Sequence, residues 1–223
     1  MTDPRKTDIA AALDRSLWFR RQKPQLKRAL VGEAQTVRAE AGHWLYDAGE
    51  EARGLYGMLS GSVRILVRMG DGDYALANIV RRGTIFGYAA RLVGKKRLVT
   101  AQVRERSTLI YVPESSLEAI ARREPDLWLH FAELASEHLL AATQAMVANA
   151  RSTPAARIAM HLTVLVGDAG MPADLAITQD ELAELSGLSR KTVNQVLKAF
   201  ERLGAVETGY RRLRVLDTSR FSR

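Results

Sequence analysis

Arg190, Lys191, Asn194, Gln195 and Lys198 set three cations and two carboxamides among apolar residues, Val193, Val196, Leu197 and Phe200, that recur every three to four positions. That period belongs to a helix with one buried side, and it leaves the five polar side chains pointing outward. Their chemistry is the reading of base edges. An arginine or lysine donates to guanine O6 and N7, and an asparagine or glutamine matches the paired N6 and N7 of adenine. Arg190, Lys191, Asn194 and Gln195 are therefore the candidates for base contacts. Thr178, Ser189, Thr192 and Lys198, with Arg211 and Arg212 further on, are the candidates for phosphate contacts.

Such a face reads DNA only if it is held at a fixed angle, and the preceding residues supply the holder. Thr178 can accept from the free amides of a first helical turn while Glu181, three residues on, returns the bond in a capping box. Leu182 and Leu185 give this first helix an apolar side. Gly187 stands where the chain must leave it, in a left-handed conformation that a side chain would resist, and Ser189 is placed to cap the second helix. The stretch from Ile177 to Gly204 thus reads as a helix-turn-helix. After it, AVETGYRRLRVLD holds two short β-prone runs around Gly209, the pattern of a hairpin wing. From Gly187 to Arg223 there are nine Lys or Arg against three Asp or Glu, whereas Arg151 to Ser186 has two against five. Positive charge is concentrated where phosphates would lie.

The whole chain agrees with a polyanionic partner. Its 223 residues carry a formal net charge of +8 and are 47% hydrophobic, enough for a core and for two domains. The absence of cysteine excludes disulfides, thiolate catalysis and cysteine-held zinc or iron–sulfur clusters. No apolar run approaches a membrane span and the opening MTDPRKTDIAAALDRS is polar, so neither membrane nor secretory signal is expected and the cytoplasm is the default.

Taken in order, Ile9 to Trp18 reads as a short amphipathic helix, followed by a second around Leu26 and Leu30. From Val37 to about Val112, β-forming runs alternate with glycine turns, which predicts a compact β-sandwich or roll. Pro113 to Arg122 is a short helix. Pro125 to Ala150 then lacks any internal Gly or Pro and forms the longest helix. Leu127, Phe131, Leu134, His138, Ala141 and Ala145 make a three-four stripe along it, the kind of seam on which two copies pack. Residues 150–154 break that helix as a hinge, residues 155–166 form a support helix, and the loop GDAGMPAD leads to the helix-turn-helix. The expected fold is α+β, in three segments: a β-roll domain over 1–122, a long dimerisation helix over 123–150 and a winged helix-turn-helix over 151–223.

Other constellations are weaker. His130, Glu133, Glu137 and His138 share one or two faces of the long helix, but solvated charges explain them, and no metal is assigned. His43 and His161 fall in a turn and a support helix, poor places for a haem ligand, and no cofactor is expected. Neither a nucleophile elbow nor a phosphate-binding loop accompanies the Ser, His and Asp residues, which argues against an enzyme. The run Lys95 to Arg97 reads as an exposed basic loop.

Roll, long helix, hinge and winged helix-turn-helix, in this order, resemble a transcription regulator of the cyclic-AMP receptor protein and FNR family. The resemblance rests on GHWLYDAGEEARGLYGMLSGSVRIL from Gly42, similar to the opening hairpins of the cyclic-nucleotide-binding fold, on ARIAMHLTVLV from Ala156, and on SRKTV at the recognition helix. It implies a bacterial homodimer that binds a palindromic operator on double-stranded DNA and contacts RNA polymerase. Many relatives have a glutamate and an arginine where this chain has Lys191 and Gln195, so the familiar operators do not transfer. In the nucleotide-binding relatives a glutamate, an arginine and a small hydroxyl residue hold the ligand; here Tyr88 and Val99 stand in the first two places and Thr100 in the third. Valine offers a phosphate neither charge nor donor. Arg97, of the same strand parity as Val99, is the cation that a register slip could bring there. These departures lead to the expectation that cyclic AMP is not the effector, and that the pocket, with Tyr88, Arg97, Val99 and Thr100 around it, binds another, unknown small molecule or none, the dimer then being held constitutively in its DNA-binding form. The other reading left open is a ligand sensor or scaffold acting through protein contacts, against which the basic recognition helix speaks.

Overall fold

Ser16 divides what the sequence suggested was one helix. α1 (Lys6–Leu13) ends early, and the Ser16 hydroxyl accepts from the amide of Phe19 at 3.4 Å to cap α2 (Leu17–Arg21). Pro24 then opens α3 (Pro24–Gly32), at a position where its missing N–H leaves no bond unmade. The computed structural model describes residues 5–94, 96–167, 170–209 and 212–222.

The β-forming runs become eight strands: β1 (Gln35–Ala39), β2 (Trp44–Tyr46), β3 (Gly54–Ser60), β4 (Ser62–Arg68), β5 (Tyr74–Arg81), β6 (Ile85–Phe86), β7 (Thr100–Val103) and β8 (Ser107–Pro113). They form two antiparallel sheets, ordered β1-β8-β3-β6 and β2-β7-β4-β5. The short helix α4 (Ala89–Leu92) follows β6, and α5 (Glu114–Arg123) follows β8. The first sheet is covered on both faces, and β8 shows how its sequence allows this. Leu109 enters the core shared with Met58, Val63 and Phe86, while Ile110 and Val112 alternate to the other face, against the helices.

α6 (Leu127–Arg151) is the longest helix, as expected, with 25 residues. Its first turns complete the helical side of the roll's core. Phe131 is fully buried, stacked between Trp18 (ring centroids 5.4 Å apart, 18°) and Tyr88 (5.4 Å, 13°). The Trp18 indole also donates to the carbonyl of His130 at 2.7 Å. This corrects the expected dimer seam. Leu127, Phe131 and Leu134 are buried among Ile9, Leu26, Leu117 and Ile120 of their own chain, so they cannot face a second copy. His138 is exposed and Ala141 half-buried. The large apolar side chains that α6 leaves in the open are Leu129, Leu139, Leu140, Met146 and Val147.

The chain divides into two compact units, 1–136 and 137–223, with the division inside α6. In the second unit, the Thr153 hydroxyl accepts from the amide of Ala156 to cap α7 (Pro154–Val166). β9 (Ala173–Leu175) follows, then α8 (Gln179–Ser186), α9 (Arg190–Arg202), β10 (Val206–Gly209), β11 (Arg212–Val215) and a closing 3-10 turn over Thr218–Ser222. β9 lies in the segment read as a loop; it pairs with β11 and makes the wing a three-stranded sheet ordered β10-β11-β9. Ile158, Leu162, Leu182, Val193 and Val215 are fully buried. A side chain from the end of α6 is tied into this unit: Asn149 donates to the carbonyl of Leu185 at 2.9 Å and accepts from Nε2 of the buried His161 at 3.1 Å.

Candidate nucleic-acid interface

The helix-turn-helix is built by the caps the sequence called for. The Thr178 hydroxyl accepts from the amide of Glu181 at 3.2 Å, and the Glu181 carboxylate accepts from the Thr178 amide at 3.0 Å. Gly187 ends α8 in the left-handed region (φ 61, ψ 37), where a Cβ would strain the turn. The Ser189 hydroxyl then accepts from the amide of Thr192 at 3.1 Å and shares a bond with its hydroxyl at 2.9 Å. Val193, Leu197 and Phe200 seat α9 in the core and Val196 is half-buried, which turns Arg190, Lys191, Gln195 and Lys198 to solvent. The wing is clamped to the same helix: Glu201 accepts from the amide of Thr208 at 2.8 Å and from its hydroxyl.

These contacts divide the exposed face of α9. Arg190 and Asn194 look into a cleft of about 500 Å³ that Thr178, Gln179, Asp180 and Arg212 also line. Gln195 and Lys198, with Glu201 and Arg202, line a more open depression beside it. Inside the cleft Arg190 is paired with Asp180 at 3.5 Å, and Asn194 donates to the Gln179 side chain at 3.3 Å. On the wing, Arg212 makes two hydrogen bonds to Asp174, at 3.2 and 2.8 Å, which hold its guanidinium more firmly protonated than usual. Arg214 lies 3.8 Å from the same carboxylate and 3.9 Å from Glu207. Arg211, the other wing candidate, lies outside the described residues. The sequence reading missed Gln179, Asp180 and Asp174; the only signal was an acidic residue in the first turn of α8.

The four residues expected around an effector have other partners. Tyr88 belongs to the buried stack with Phe131 and packs in the helical side of the roll's core. Arg97, expected in an exposed basic loop, is only 5% exposed. One of its terminal nitrogens donates to the carbonyl of Gly87 at 2.6 Å and the other to that of Gly54 at 3.0 Å. Its guanidinium lies 4.1 Å over the ring of Tyr46 and 5.9 Å from that of Tyr56. Gly87 has a positive φ of 84°, and a Cβ on it would come within 2.8 Å of the guanidinium. Lys95 of the same run lies outside the described residues. Val99 is half-buried, and the buried Thr100 hydroxyl donates to Asp47, holding that carboxyl below the usual range. Among the described residues, no three His, Asp or Glu come together as a metal site, and no helix is long and apolar enough to cross a membrane.

Residues 36–124 match the model of the cyclic nucleotide-binding domain, and residues 156–223 match that of the Crp-like helix-turn-helix domain. The pair defines a class of DNA-binding regulators, which are not enzymes. The chain belongs to the CRP/FNR family of transcription regulators. It is 28% identical over 167 residues to the cAMP-activated global transcriptional regulator CRP of Pasteurella multocida, covering 70% of this chain and 78% of that one. To the nitrogen fixation regulation protein FixK of Azorhizobium caulinodans it is 29% identical over 194 residues, 80% of this chain and 74% of the relative. Among solved structures, FixK2 from Bradyrhizobium japonicum shares the fold, with a TM-score of 0.74 at 20% identity over 85% of this chain and 96% of that one. A CRP/FNR-family regulator from Thermus thermophilus is 27% identical, with a TM-score of 0.62 over 84% of this chain and 96% of that one.

Proposed function

We propose that this protein binds a palindromic operator as a homodimer, without control by cyclic AMP. Arg190, Lys191, Asn194 and Gln195 read bases, and Thr178, Ser189, Thr192, Lys198 and Arg212 meet phosphates. The observation that carries this reading is the capped recognition helix, with four exposed cations or carboxamides beside a wing arginine. Lys191 and Gln195 favour an operator other than the familiar ones. Contact with RNA polymerase and a place in the cytoplasm are part of the same reading, as family-typical properties.

The dimer uses the exposed apolar side chains of α6. Leu139 and Met146, like Leu140 and Val147, are seven residues apart, the repeat of a helix seam. The Leu140→Asp variant is expected to sediment as a monomer at micromolar concentration and to lose operator binding, because each half-site loses its tethered partner. Wild-type protein that is itself monomeric under those conditions would refute the dimer.

Freedom from cyclic AMP is supported by the positions that hold the nucleotide in relatives. Tyr88 is committed to Phe131, Val99 has no donor, and Arg97 is already engaged by two carbonyls and two tyrosine rings. Calorimetry with cyclic AMP and cyclic GMP is expected to give no heat, and operator binding is expected to be the same with and without them. Micromolar binding that Arg97→Ala abolishes would overturn this part of the proposal.

A further inference from the structure

Two consecutive residues at the start of α8 hold the two groove-facing side chains of α9 that line the wing-side cleft. Gln179 accepts from the Asn194 amide at 3.3 Å, and Asp180 pairs with Arg190 at 3.5 Å. The hold has a firm base, since the capping box of Thr178 and Glu181 fixes the turn that carries both residues, and Glu181 is itself buried. Arg190 and Asp180 are each about two-thirds exposed, so as a surface ion pair they do little for the stability of the fold. Their place matters for a different reason. A carboxylate in a cleft open to a polyanion disfavours every nonspecific approach, and only a contact that uses a well-aimed Arg190 offsets it.

We propose that Gln179 and Asp180 are positioning residues that set base discrimination: Gln179 aims Asn194, while Asp180 aims Arg190 and repels DNA that does not engage it. This rests on the reading of Arg190 and Asn194 as base readers. Asp174 supplies the contrast. It is also an exposed carboxylate, but its partners are the wing arginines Arg212 and Arg214, which read no base in this assignment.

Fluorescence anisotropy with an operator duplex and a random duplex of equal length, across a salt series, separates these roles. Removing one repelling charge is expected to raise random-DNA affinity by about fivefold at 150 mM salt, and to steepen the salt slope by about 0.9. Asp174→Asn should therefore tighten operator and random DNA alike. Asp180→Asn should tighten random DNA by the same factor while the operator gains nothing, so that the ratio of the two affinities falls about fivefold or more. Asp180→Glu should restore the ratio. Gln179→Ala should relax preference at the base pair that Asn194 reads and leave the salt slope unchanged. If Asp180→Asn tightens both duplexes equally, as Asp174→Asn does, Asp180 is only a surface charge and the inference fails. Arg190→Ala distinguishes that failure from a failure of the interface itself. An unchanged ratio in Arg190→Ala means the base-reader assignment is wrong, whereas a lost ratio in Arg190→Ala with an intact one in Asp180→Asn overturns only the positioning role. Unchanged thermal melting of the variants would show that the helix itself is intact.

Discussion

Two arginines measure the difference between the roll and the winged unit. Arg97 is nearly out of reach of water, bonded to two carbonyls and covered by aromatic rings. Arg190 is 69% exposed, with one carboxylate at 3.5 Å. A buried cation must draw its partners from inside the protein, because the low dielectric makes an unmet donor costly; the two terminal nitrogens of Arg97 find carbonyls, while its Nε is buried without a hydrogen-bond partner among the described residues. An exposed one keeps its hydration and can exchange it for a base edge. Arg97 is thus part of the interior of the roll, while Arg190 stays at the surface of the winged unit. Substitutions in the first should damage folding, and substitutions in the second should damage recognition.

The hardest blow to the roll is Phe131→Ala. It empties the space between Trp18 and Tyr88 and should cost about 3–5 kcal/mol of stability, read as a lower urea midpoint. A loss below about 1 kcal/mol would mean that the stack is not a true core. The corresponding blow to the winged unit, Arg190→Ala, should leave the melting temperature unchanged. It should remove about 1–3 kcal/mol of operator affinity and leave random DNA almost untouched. Destabilisation of the fold by this variant would break the contrast between the two arginines. Arg212→Ala is milder, because a phosphate contact carries no base preference: both duplexes should weaken alike, by up to about fivefold at 150 mM salt, with a salt slope shallower by at most about 0.9, since Asp174 already shares the charge. The smallest effect is a dependence on pH. Burial lowers the pKa of His161 below its ordinary 6.5, so the imidazole is neutral in both folded and unfolded chains above pH 7. As the pH falls through 6.5 toward the lower folded value, only the unfolded chain takes up the proton, and stability is lost across that window. His161→Gln should flatten this part of the stability–pH curve, and an unchanged curve would remove His161 from it.

Local rules made the DNA-binding half legible. A cap, a capping box and a left-handed glycine each act over no more than four residues, and Thr178, Glu181, Gly187 and Ser189 each stand as the sequence requires. The strand β9 was hidden because three residues, Ala173 to Leu175, carry too little alternation to be read, and their partner Leu213 is 38 positions away. Long-range partners hid the rest. The run from Lys95 to Arg97 looks solvated until Gly54, Gly87 and Tyr46 arrive from elsewhere in the chain to surround its arginine. The stripe on the long helix misled for a similar reason. Leu127, Phe131 and Leu134 have the spacing of any buried helix face, and spacing alone does not say whether the covering surface comes from the same chain or from another. Asp180 and Gln179 went unread because their partners lie on the next helix, 10 and 15 positions on, at a distance fixed only by the turn between them.

The aromatic stack also gives the protein an optical label. All three tryptophans, Trp18, Trp44 and Trp128, fall in the unit that ends at Ser136, and the DNA-binding unit has none. Trp18 is 2% exposed and hydrogen-bonded through its indole, whereas Trp44 is 46% exposed. A quencher that cannot enter the interior will silence Trp44 and leave Trp18 emitting at short wavelength. The surviving emission follows the packing of the roll alone, so when the protein is heated or titrated with DNA, intrinsic fluorescence and a label placed on the wing report on separate halves of the same chain.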